Sequence, residues 1–178
     1  MNETKRTYDL KFWLTMVGQI LFFFAIFITL SEWRTSDMRA TGSQVKTFTS
    51  PTLDGKSLTF PYVSNQQNTL IYFFAPWCTI CHLSIGNLDD VQEQFGDEVN
   101  ILIVALDYES VAEVETFIAD KELKYPVVLG DANWAQEYKI TAFPSYYIVD
   151  SVGTVLSRTL GYSSSAGMLS RLAWVDVD

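Results

Sequence analysis

The residues best suited to chemistry lie in one short stretch, Ala75-Pro76-Trp77-Cys78-Thr79-Ile80-Cys81-His82. It holds both cysteines and the single histidine of the 178-residue chain. An apolar run precedes it and an amphipathic stretch comes after it, so the cysteines are expected to open a helix. Positions i and i+3 of a helix share a face, with Cβ atoms about 5–6 Å apart. Small adjustments close that gap to a disulfide. The unpaired N–H groups of a helix start favour a thiolate. Cys78, on the first turn, is the expected nucleophile. Cys81, one turn inward, is the expected resolving thiol. Thiol–disulfide exchange needs both roles, because one sulfur attacks and the other releases the mixed disulfide.

Other uses of the same residues fit less well. A staple between Cys78 and Cys81 would close almost no loop and so stabilise little. Zinc takes about four ligands, and two cysteines with His82 fall short unless a carboxylate joins. The string Cys78-Thr79-Ile80-Cys81-His82 also matches the attachment pattern of c-type haem, with His82 as axial ligand. Against haem, an apolar strand leads directly into the motif, whereas small c-type cytochromes are mostly helical. Their second ligand is commonly a methionine, and Met168 is the only one in the C-terminal part. The redox dithiol is the reading carried forward, and it calls for no cofactor. A haem-carrying electron-transfer protein is the runner-up. A non-enzymatic binding protein is a third reading.

The elements that must position the pair are legible around it. Thr69 to Phe74 (TLIYFF) is an uninterrupted apolar run, suited to a strand buried on both faces. Asn100 to Leu106, Tyr146 to Val149 and Val155 to Leu160 are further strands, the last two joined by the turn Asp150-Ser151-Val152-Gly153. Asp54-Gly55 marks a small hairpin within residues 45–60. Cys78, Cys81, Ile85, Leu88, Val91 and Phe95 recur at helical spacing and predict one helix. Ser110-Val111-Ala112-Glu113 has the form of a capping box ahead of Val114, Phe117 and Ile118. Asp131 is placed to cap a short helix that turns Trp134 and Tyr138 inward. Ser163 to Ser165 are placed to cap a last helix carrying Met168, Leu169 and Leu172. Strands separated by helices require right-handed crossovers and a largely parallel core. The final hairpin adds antiparallel strands, so the expected fold class is α/β with a mixed sheet.

Ahead of this domain, Phe12 to Leu30 is a run of 19 residues without a charge. At 1.5 Å per residue it spans roughly 28 Å, close to the bilayer hydrocarbon thickness. A cleaved signal would have a shorter apolar region and a small-residue cleavage site. The run gives way instead to Ser31-Glu32-Trp33-Arg34, so an uncleaved anchor is expected, with Trp13 and Trp33 near its ends. The expected organisation is a cytoplasmic N-terminus at 1–11, a transmembrane anchor at 12–30, a tether at 31–43 and one folded domain at 44–178. Lys5, Arg6 and Lys11 before the span balance Arg34, Arg39 and Lys46 after it, so charge alone hardly orients it. Residues 41–178 carry 7 basic and 17 acidic side chains. That acidic balance excludes nucleic acid as a partner, since phosphate contact needs clustered Lys and Arg.

Phe73-Phe74-Ala75-Pro76-Trp77-Cys78-Thr79-Ile80-Cys81 resembles the active-site strand and helix start of thioredoxin-like proteins. It is most similar to the membrane-anchored bacterial TlpA-like thiol–disulfide oxidoreductases, which include cytochrome c maturation thioredoxins. A second anchor is Tyr138-Lys139-Ile140-Thr141-Ala142-Phe143-Pro144, and the resemblance covers roughly residues 45–175. It implies a thioredoxin-like fold and a cis-proline, Pro144, facing the cysteines. It further implies contact between substrate and Trp77, Phe143 and Pro144. From the residues alone, Pro144 reads equally as a strand-initiating proline, and Phe143 equally as core. The chain departs from its relatives in three places. An acidic residue often lies three after the second cysteine and a helix-kinking proline five after it; here those places hold Ser84 and Gly86. Thioredoxin has a buried Asp six before the first cysteine; here that place holds Tyr72.

The expected activity is reduction of protein disulfides through Cys78 and Cys81, with an oxidant or isomerase as the variant reading. The partners are a protein thiol or disulfide substrate and a membrane electron donor for re-reduction. The expected location is the bacterial inner membrane, single-pass, with the domain facing the periplasm, where a dithiol of this kind meets disulfides.

Overall fold

The computed structural model describes residues 10–61 and 66–175. The expected cytoplasmic segment therefore lies almost wholly outside the described residues. The chain divides into two units, residues 1–36 and 37–178. The first contains α1 (Leu10–Thr35). Its Phe12–Leu30 stretch has a mean hydropathy of 2.1 and none of it is buried. Thr29 returns its hydroxyl to the Ala25 carbonyl at 2.9 Å, so a polar side chain adds no unmet donor to the apolar surface. Trp13 is exposed; the side chain of Trp33 lies outside the described residues.

The second unit is built on a five-stranded sheet. Its strands are β3 (Asn68–Phe74), β4 (Val99–Ala105), β5 (Val127–Leu129), β6 (Ser145–Val149) and β7 (Val155–Leu160), in the order β5-β4-β3-β6-β7. β3, β4 and β5 are parallel, while β6 and β7 run antiparallel to their neighbours. The sheet is mixed, as the pattern predicts. β3 is central, so six of its seven residues are buried. Alternation divides them between two cores. Leu70, Tyr72 and Phe74 face one, with Cys81, Ile85, Leu88, Val114, Phe117 and Leu172. Ile71 and Phe73 face the other, with Trp134, Tyr138, Phe60 and Met38.

The crossovers that cover the first face are α2 (Thr79–Ser84), α3 (Asn87–Phe95) and α4 (Val111–Asp120); α5 (Ala132–Glu137) covers the second and α6 (Ser165–Val175) closes the first. A hairpin of β1 (Phe48–Pro51) and β2 (Ser57–Phe60) abuts β5, where Leu53 N–H donates to Val127 O at 2.8 Å.

Four details differ from expectation. The single helix predicted from Cys78 to Phe95 is two, broken at Ile85–Gly86. The break is bridged by tighter i→i−3 bonds, Leu88 N–H to Ile85 O and Asp89 N–H to Gly86 O. The apolar spacing survives the break, so the pattern did not reveal it. The capping box forms only in part. Ser110 makes no side-chain cap bond, and the Glu113 carboxylate accepts from Glu109 N–H at 3.2 Å, one residue further back. β5 has three residues, too short for a periodic signal. Gly130 ends it because β4 comes too close: an added Cβ would lie 2.7 Å from Val104 Cγ1. The tether expected at 31–43 divides between the units. Helix continues to Thr35, and Met38 is 2% exposed in the core.

Candidate active site

Cys78 is the N-cap of α2, with extended backbone at φ −79° and ψ 105°. Its Sγ accepts the Cys81 N–H at 3.1 Å. Cys78 O accepts from Cys81 N–H at 3.0 Å and from His82 N–H at 3.2 Å. The sequence does this locally: β3 ends at Phe74, Pro76 cannot extend a ladder, and α2 starts at once. The two sulfurs are joined as a disulfide with Cα atoms 5.2 Å apart. Cys81 is fully buried, while Cys78 keeps 6% of its surface. Of the pair, only Cys78 keeps any exposed surface, and an N–H already points at its sulfur. Such a bond strengthens when its acceptor becomes an anion.

Of the flanking residues, Trp77 and Phe143 meet in the structure. The Phe143–Pro144 peptide is cis; so is Phe60–Pro61, which the sequence did not flag. Pro144 is buried, and its carbonyl accepts Gly161 N–H at 2.8 Å. Gly161 takes φ 86° there, a value that favours glycine. Phe143 is half-buried and packs on both cores. It also meets the Trp77 ring edge-on, centroids 5.9 Å apart. Phe143 thus packs as its core reading expects. Trp77 is 64% exposed, yet its Nε1–H donates to Asp107 O at 2.9 Å. The indole is thus exposed over its rings and tethered at its polar end.

Sequence reasoning missed several neighbours. Ile80 and Leu83 are exposed beside Trp77's loop. Tyr72 O–H lies 3.0 Å from Ser84 Oγ and 3.2 Å from Cys81 O. The signal was present, since Ser84 shares a helix face with Cys81 and Tyr72 points to that face by strand alternation. A groove of about 590 Å³ is lined by Trp77, His82 and Phe117, with Glu109, Glu113 and Asp120 adding carboxylates. Among the described residues no cluster of three or more His, Cys, Asp or Glu is arranged to hold a metal.

This arrangement is that of a thioredoxin-like exchange site, and comparison with known proteins decides the family. Residues 41–158 match the AhpC/TSA family. The chain belongs to the AhpC/TSA family. The chain is 22% identical over 135 residues to the thioredoxin-like protein YneN of Bacillus subtilis, covering 74% of this chain and 78% of that one. Among solved structures it is similar to a putative thiol:disulfide interchange protein DsbE from Chlorobium tepidum, at TM-score 0.68 and 17% identity, over 76% and 97% of the two chains. It is also similar to MTB DsbF, at TM-score 0.63 and 25% identity, over 72% and 94%. This AhpC/TSA member is a thioredoxin-like thiol–disulfide oxidoreductase carrying a CxxC pair.

Proposed function

We propose that this chain is a membrane-anchored reductant of disulfides in proteins outside the cytoplasm. The observation that carries the reading is the asymmetry of the sulfurs. Cys78 sits at the surface end with the Cys81 N–H aimed at it, and Cys81 lies sealed behind. In the reduced protein the Cys78 thiolate attacks one sulfur of a substrate disulfide. That S–S bond breaks, and the other substrate sulfur leaves and takes a proton. Cys81 then loses its proton and attacks Cys78 Sγ, releasing the second substrate sulfur. Two electrons and two protons reach the substrate, and Cys78–Cys81 becomes a disulfide. A donor within the membrane returns the electrons, which fits a domain that comes after a 19-residue apolar span.

Trp77, Phe143 and Pro144 form the surface along which the substrate chain lies. Thr79–Ile80, between the cysteines, adds no cation to stabilise the thiolate further. The reduced form is thus not specially favoured, which supports a reductant over a strong oxidant.

The test is a trap. Cys81→Ala, expressed in full length, is expected to accumulate mixed disulfides on Cys78 that dithiothreitol releases, and mass spectrometry identifies the attached proteins. Abundant protein with nothing attached would sink the exchange mechanism. A reduction potential near those of strong oxidants would reverse the direction.

A further inference from the structure

The histidine that completes Cys78-Thr79-Ile80-Cys81-His82 takes no part in the exchange steps. Its ring is nevertheless committed. His82 Nε2 lies 3.0 Å from the Pro76 carbonyl oxygen. A carbonyl can only accept, so Nε2 carries a proton. The ring is half-buried and lies against Phe117, centroids 4.4 Å apart.

The bond spans the segment that matters. It runs from α2 back over Trp77 and Cys78 to the residue that leads into them. Neighbouring carbonyls are engaged by backbone: Ala75 O accepts Cys78 N–H, and Cys78 O accepts Cys81 N–H and His82 N–H. Pro76 has no N–H of its own, and its carbonyl takes the imidazole instead. On the other side, Trp77 is held by Asp107 O. The entry loop is thus pinned at Pro76 and at Trp77, and Cys78 Sγ emerges from it 3.1 Å from the Cys81 N–H.

We propose that His82 is a positioning residue for Cys78, its Nε2–H holding the Pro76 carbonyl so that the Cys78 sulfur stays on the Cys81 N–H. The proposal rests on the exchange reading, because the contact matters when that sulfur is an anion. Hydrogen bonds to charged groups are short and directional. Slack at Pro76 lengthens this one and makes the thiolate harder to form. Neutral Nε2–H imidazole and imidazolium both donate here, so the clamp persists in either protonation state.

Two kinds of substitution separate the donor from the ring. His82→Gln keeps an N–H donor and loses the aromatic surface. His82→Phe keeps the surface and loses the donor, and His82→Leu loses both. Full-length reduced protein in detergent is alkylated with iodoacetamide across pH, with modification of Cys78 read by mass spectrometry. For His82→Phe and His82→Leu the rate at pH 7 is expected to fall about fivefold, the midpoint of the profile to move up, and the equilibrium with glutathione to shift toward the disulfide. His82→Gln is expected to stay within about twofold of wild type. Unfolding midpoints are measured alongside. The proposal is overturned by a wild-type profile in His82→Phe, by equal losses in His82→Phe and His82→Gln, or by changes confined to the unfolding midpoint. Failure of the exchange reading looks different. The Cys81→Ala trap would come up empty while the His82 series still moved the Cys78 profile.

Discussion

Tyr72 and Ser84 occupy two positions where thioredoxin-like relatives carry acids, and in this fold they meet. Their hydroxyls are 3.0 Å apart, Ser84 Oγ reaches Ile80 O at 2.9 Å, and Tyr72 O–H reaches Cys81 O at 3.2 Å. A network of hydroxyls thus stands where a buried carboxylate would be. Burial pushes the Tyr72 hydroxyl far above the ordinary tyrosine range, with the nearby Tyr146 adding to the effect. It therefore remains protonated and acts as a donor, not as a base for Cys81. Tyr72→Phe should cost about 1 kcal/mol. The loss stays small because Cys81 O keeps its bond from Ile85 N–H. Urea unfolding of the oxidised protein measures it, and an unchanged midpoint would show that the phenol contributes nothing. Both residues were visible in the sequence as departures, but their meeting was not, since twelve positions separate them.

At the scale of elements, the segment after α1 shows how a polar stretch becomes structure. Arg39 Nη1 lies 2.6 Å from Glu137 Oε1 at the end of α5, and Nη1 also donates to Glu137 O at 3.1 Å. Lys46 N–H donates to the same carboxylate at 3.1 Å. Arg39 N–H donates to the Tyr147 hydroxyl on β6 at 3.0 Å. Glu137 is 7% exposed, so it cannot exchange these partners for bulk water. Arg39→Ala should destabilise the protein by about 3 kcal/mol, because it leaves a nearly buried carboxylate with one backbone N–H and the exposed Lys46 ammonium, 3.8 Å away, as its partners. Chemical denaturation measures the loss, and pairing with Glu137→Gln should recover part of it. Full additivity of the two would argue that the ion pair is idle. Sequence reading assigned residues 31–43 to a tether because they are mixed in charge. The partner that makes Arg39 structural lies 98 residues away, beyond any local pattern. The broken α2–α3 helix has the opposite cause: the apolar spacing was legible and a backbone kink that preserves it was not.

At the scale of the molecule, the core is rich in buried phenols. Burial pushes the Tyr147 hydroxyl up to about 12, opposed by the Arg39 N–H and the charges of Arg158 and Arg39. Tyr72, Tyr138 and Tyr146 are raised as well, each chiefly by burial. The unfolded chain releases these protons near pH 10, while the folded one retains them. Their contribution to stability is therefore complete below about pH 10 and is lost as pH rises from there through about 12. Circular dichroism and phenolate absorbance should show tyrosine ionisation coinciding with loss of structure. Ionisation at ordinary midpoints in protein that stays folded would contradict the burial. Tyr147→Phe removes one of the protons that the unfolded chain gives up, so stability should fall less steeply with pH above about 10, from a lower starting value because Arg39 N–H loses its acceptor.

The candidate dithiol and the class of fold were legible along the chain. Cysteine spacing, the apolar run before it and the period-2 and period-3.6 patterns around it are local, and local patterns survive folding. The apolar span at Phe12–Leu30 was legible for the same reason. Which groups gather around the CxxC segment came from packing between elements. The Phe143 ring against Trp77, the Asp107 carbonyl on the indole and the Tyr72–Ser84 pair all join residues from different elements. Those contacts depend on crossover geometry and close packing, which fix distances that no spacing along the chain encodes.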